Sequence, residues 1–158
     1  MIGRLRGAAV VQALLLAVGA TACGFDSCAD DVADAEAEVH TDHRWTEEDV
    51  PGIGQYVEVH WQTRARGNPC SRAPGPTDWH YQGVARMRAD EAQALLKAYE
   101  WTATSPAKMW PALQSLVPAD AQWLHSEGYA KAHDTPASGS EIYLSPDNAL
   151  VYFTLRDS

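Results

Sequence analysis

Apolar and polar residues alternate most cleanly over residues 55–66. Val57, Val59 and Trp61 fall on one side and Glu58, His60, Gln62 and Arg64 on the other, the period of two expected of a half-buried strand. Residues 67–78 are nearly all turn-forming types and predict a long surface loop that carries Cys70. The chain then returns over 79–88 as a second strand, antiparallel to the first. From Asp90 the period changes: Ala92, Leu95, Leu96 and Tyr99 recur at i, i+3, i+4 and i+7, which predicts a helix with one face on a sheet, Asp90 and Gln93 forming its capping box. Ser105-Pro106, Pro111 and Pro118 each read as a helix start, the last running through Trp123 and Leu124 to Gly128. Tyr129 to His133 alternates weakly, as an edge strand would. Segments 141–144 and 149–156 flank Ser145-Pro146-Asp147-Asn148, whose residues suit a type I hairpin connection. The expected fold class is α+β, one largely antiparallel sheet of about 4–5 strands in the order β-β-α-α-β-β-β with helices packed on one face.

The first third of the chain follows other patterns. Arg4 and Arg6 precede an almost wholly apolar run, Gly7 to Ala20, interrupted only by Gln12, the layout of an export signal. As a helix this run reaches roughly 21 Å, short of the roughly 30 Å hydrocarbon core of a bilayer. Residues 26–49 are acidic and poor in large apolar side chains. Val32, Ala35 and Val39 mark one face of a short helix, and like-charge repulsion is expected to extend the segment as a stalk. Thr46-Glu47-Glu48-Asp49 before Pro51 reads as a capped single turn. The expected organisation is a signal peptide over 1–22, an acidic tether over 23–50 and one α+β domain over 51–158.

Composition sharpens this picture in two ways. Removing residues 1–22 takes away two arginines and no acid, so 136 residues remain and the net charge moves from −9 to −11. That is enough chain for one core, and its charge argues against nucleic acid as a partner. No local basic cluster stands out, since Arg64, Arg66 and Arg72 flank one loop and Arg86 with Arg88 ends one strand.

Ala20-Thr21-Ala22 satisfies the small-x-small rule for ordinary secretory cleavage. Followed by Cys23-Gly24, the same residues also resemble the lipobox of bacterial lipoproteins, with Ala20 where Leu is more usual. The resemblance covers the first two dozen residues and implies a diacylglycerol on the Cys23 thiol, a palmitate-type anchor, and a place on the extracytoplasmic face of the cell membrane. Nine arginines against three lysines, with abundant alanine, resemble proteins of GC-rich bacteria such as actinobacteria. An odd number of cysteines in an exported chain needs an explanation, and lipidation of Cys23 leaves Cys28 and Cys70 as one pair where disulfides persist. Two processing outcomes stay open: a lipid-anchored protein, or a freely secreted one with unmodified Cys23.

Candidate chemistry is sparse. Glu58 and His60 share a strand face and His80 lies on the next strand, a set that would supply the acid and base of a hydrolase. His40 and His43 lack a third ligand at a defined spacing, so no metal site is expected. No phosphate loop or nucleophile elbow occurs, and no cofactor is implied. Of the six tryptophans, Trp45 and Trp79 are the candidate outward anchors for a partner. The sequence therefore points to a small binding domain at the cell envelope, contacting the membrane through its lipid and an unidentified protein or envelope component, and leans away from an enzyme.

Overall fold

The computed structural model describes residues 26–71, 78–106, 108–133 and 139–157. Along the chain these form α1 (Asp26–Ala37), β1 (Tyr56–Arg66), β2 (Asp78–Met87), α2 (Ala89–Ala98), β3 (Thr102–Thr104), α3 (Pro111–Gln114), β4 (Trp123–His125), α4 (Glu127–Ala132), β5 (Glu141–Ser145) and β6 (Leu150–Asp157). The six strands make one sheet in the order β1-β2-β6-β5-β4-β3, every neighbouring pair antiparallel. The α+β class holds, with six strands in place of the expected 4–5, and after α1 the chain order is β-β-α-β-α-β-α-β-β rather than β-β-α-α-β-β-β.

Alternation along the strands builds two cores, one on each side of the sheet. Val59, Trp61, Ala85, Val151, Phe153, Ile142 and Leu144 point to one side and pack with Trp45, Val50, Ile53, Ala92 and Tyr129. The other side carries Val84, Leu150 and Tyr152 beneath Trp110, Leu113 and Trp123. Helices α2 and α4 lie on the first side and α3 on the second, so the expectation of helices on one face is corrected. The cause is the apolar content of 109–123, which needs cover of its own and finds it only on the free side.

Three local readings also change. Thr102–Thr104 and Trp123–His125 are short paired strands rather than helix or loop, while Glu127–Ala132 is helical where an edge strand was expected. The hydroxyl of Ser126 accepts the Tyr129 N–H at 3.1 Å and caps that helix. On α2 the cap position is Arg88 and no side chain caps it, which leaves Asp90 in the first turn, where its charge favours the helix dipole. In β1 the pairing runs Tyr56 to Met87 and Glu58 to Arg86, so Val57 is a bulged residue, 60% exposed. The bulge lets Tyr56 replace Val57 on the core side.

The segment expected to stand off as a tether lies against the sheet instead. Gln62 Nε2 donates to the carbonyls of Glu36 and Ala37 at 3.1 and 3.2 Å, anchoring the end of α1. His40 and Trp61 exchange two backbone hydrogen bonds, which continues the ladder at the outer edge of β1. Trp45 and Val50 then enter the first core. The acids Asp30, Asp31 and Asp34 are exposed, so repulsion among them is relieved in water without extending the chain. The turn at Thr46 forms as expected, the Asp49 carboxylate accepting from the Thr46 N–H and hydroxyl.

Candidate functional site

Residue by residue, the sequence-derived candidates are scattered. Cys23, with the whole of 1–22, lies outside the described residues. Cys28 and Cys70 are bridged, with an S–S distance of 2.05 Å and Cα atoms 5.9 Å apart, which fastens α1 to the loop after β1. Trp45 is 4% exposed and is corrected from outward anchor to core. Its ring meets Trp61, Tyr81 and Phe153 edge-on at 5.2–5.5 Å, and the large apolar area buried there outweighs any gain from display. Trp79, at the start of β2, is 37% exposed.

Glu58, His60 and His80 share a sheet face but do not converge. His60 Nε2 lies 2.8 Å from Glu58 Oε1, and Arg86 Nε donates to Glu58 Oε2 at 3.4 Å. These two hydrogen bonds hold the Glu58 carboxyl below its ordinary range, that from His60 first. His60 stands opposite Val84, and His80 is four residues further along β2, about 13 Å at strand rise. Between them Gln62 and Gln82 face each other, both buried. Gln82 Oε1 accepts the Trp110 N–H at 2.9 Å and its Nε2 donates to the Lys108 carbonyl at 3.2 Å, which seats Trp110 on the sheet. A hydrolytic centre made of the three is thus divided by a packed layer. A cleft of about 660 Å³ beside β3 is lined by Tyr99, Glu100, His125 and Glu127 among others and contains none of them. His40 and His43 stack on different rings, Trp61 and Tyr56.

What the register does bring together is cationic. Arg64 on β1 stands opposite His80 on β2, and His80 stands opposite Arg156 on β6. Arg66, two residues beyond Arg64, points to the same face. Among the described residues, Arg86 and Arg88 each have a carboxylate within 4.0 Å, Glu58 and Asp90, but Arg64, Arg66 and Arg156 have none. The Arg64 guanidinium lies 4.3 Å from the centroid of the Trp110 ring, its Nε buried and without a hydrogen-bond partner. His80 meets the same ring edge-on at 5.3 Å. Burial pushes the His80 pKa down, and Arg156, Arg66 and Arg64 add to the shift while Glu141 opposes it; the imidazole is therefore neutral at pH 7. Sequence reading missed this cluster because 64, 80 and 156 are neighbours only through pairing. The polar side of β1 could have signalled it, once Arg64 is matched to residues on a paired strand.

Among the described residues no helix is long and apolar enough to cross a membrane. Comparison with protein-family models, curated proteins and solved structures finds no match for the chain.

Proposed function

We propose that the chain is an exported lipoprotein, anchored through a diacylated Cys23 at the outer face of the cytoplasmic membrane, whose α+β domain is a non-enzymatic binding module. The observation that carries this reading is the Cys28–Cys70 bridge. It uses two of the three cysteines and leaves Cys23, at the edge of the small-residue cleavage motif, as the single thiol to be accounted for. Two acyl chains bury enough methylenes, at about 0.8 kcal/mol each, for stable anchoring. The separation of Glu58 and His60 from His80 supports binding over hydrolysis, and the exposed ring of Trp79 supplies one apolar contact for a protein or envelope partner.

Expression in a bacterial host fed labelled fatty acid tests the anchor. Wild-type protein should carry label and fractionate with membranes, whereas Cys23→Ser should carry none and be released. A wild type that never takes up label, together with a mutant that stays on the membrane, overturns the proposal. A correctly cleaved but unlabelled and soluble wild type would identify a secreted protein with unmodified Cys23.

A further inference from the structure

Arg64 and Arg156 stand two strands apart with His80 between them, about 10 Å at strand spacing, and this chain has 21 acidic residues against 12 basic ones with which to neutralise them. The nearby carboxylates are nonetheless turned to other tasks. Glu36 Oε1 accepts the Ala65 N–H at 3.0 Å, and Glu141 Oε2 accepts the Tyr143 hydroxyl at 3.1 Å. Asp78 stands opposite Arg66 in the register without reaching ion-pair distance. Among the described residues, none of the three guanidinium groups has a carboxylate within 4.0 Å.

We propose that the row of Arg64, His80 and Arg156, with Arg66 at its end and Trp110 as its wall, binds a phosphate group. Arg64 is prepared for this: stacking on Trp110 fixes the plane of its guanidinium, and its Nε is already out of water. Its terminal nitrogens are left to form a fork toward an oxyanion. Arg156 and Arg66 are exposed and can close from either side, while His80 can donate one N–H. A tetrahedral phosphate group presents its oxygens in more than one plane and can engage more than one guanidinium. A planar carboxylate is satisfied by a single fork. An extended polyanion is disfavoured, because a short row on a chain of net charge −9 repels whatever reaches beyond it.

The inference names a ligand for the binding module proposed above, and it holds whether or not Cys23 carries lipid. Its source, a free phosphate compound or a phospholipid headgroup, is separable by experiment. The exported, disulfide-bonded protein is titrated with inorganic phosphate, against chloride at equal ionic strength, and followed by calorimetry and tryptophan fluorescence. Sedimentation with phosphatidylglycerol vesicles, against phosphatidylcholine vesicles, forms the second arm. Arg64→Gln and Arg156→Gln should each weaken binding at least about tenfold, and Arg86→Gln, which alters a cation already paired, less than about twofold. Arg156→Gln changes an exposed side chain, and its melting temperature should equal or exceed that of the wild type because a repulsion is relieved. A phosphate response with no vesicle binding assigns a soluble ligand. Vesicle binding that both row variants abolish, without a response to free phosphate, assigns a headgroup. Indifference to phosphate and vesicles alike, or an Arg86→Gln loss as large as that of the row variants, overturns the proposal.

Discussion

Replacing Trp45 by Ala separates an integral first segment from a tether. In a stalk the change would cost almost nothing, since an exposed substitution usually stays within about 0.5 kcal/mol. In the structure Trp45 is 4% exposed, and its ring is enclosed by Trp61, Tyr81 and Phe153. A buried tryptophan removes about 150–250 Å² from water, about 4–6 kcal/mol at 25 cal/mol per Å² as an upper bound. Relaxation around the vacated space brings the expected loss to about 3–5 kcal/mol, the range for Trp→Ala in a core. Urea unfolding followed by far-UV circular dichroism reads this as a lower midpoint with an unchanged slope. Val57→Ala serves as the control, because Val57 is 60% exposed and should shift the midpoint little. A Trp45→Ala loss below about 1 kcal/mol would refute the packing of 38–53 on the sheet and restore the tether.

Other consequences test other joints of the fold. Gly83 stands beneath the Phe153 ring, and an added Cβ would fall 2.3 Å from Phe153 Cζ; with Phe153 fully buried, Gly83→Ala should destabilise by about 1–3 kcal/mol, and an unchanged melting curve would contradict the register of β2 on β6. Reducing Cys28–Cys70 reopens a loop whose ends are 42 residues apart, a chain-entropy loss of about 4 kcal/mol; denaturation with and without reductant measures it, and hydrogen exchange should rise first in α1. His80 resists protonation when folded, its pKa lying below the ordinary 6.5 chiefly through burial, so the unfolded chain takes up the extra proton as pH falls through 6.5. Stability present above that pH is lost on the way down, and His80→Gln should show a smaller fall between pH 7.5 and 5.5 than wild type. Equal falls would contradict the placement of His80 against Trp110 and the arginines.

The parts of the fold legible in the sequence were those long enough to show a period. Strands β1, β2 and β6 and helix α2 repeat their apolar positions over several turns or pleats, and they lie close to where alternation put them. Strands β3 and β4 have three residues each, too few to display a period of two, and only pairing with neighbours defines them. Tyr129–His133 alternates by composition, yet the Ser126 cap and the demand of Tyr129 for a buried site select a helix. Gln62 misled differently: alternation placed it on a polar face, but that face is covered by α1, α3 and Trp110, and its amide, like that of the facing Gln82, bonds to backbone groups of the covering segments. The candidate site was the least legible feature, because Arg64, His80 and Arg156 come from three strands whose register no single segment encodes.

The most direct test of the anchored-domain account is the mass of the mature protein, extracted from membranes and alkylated without reduction. The account predicts a chain beginning at Cys23, heavier than its polypeptide by a diacylglycerol, with no alkylated thiol and with Cys28 and Cys70 recovered in one disulfide-linked peptide. A chain beginning at Cys23 with one alkylated thiol and no lipid, or a chain that retains residues 1–22, would contradict it.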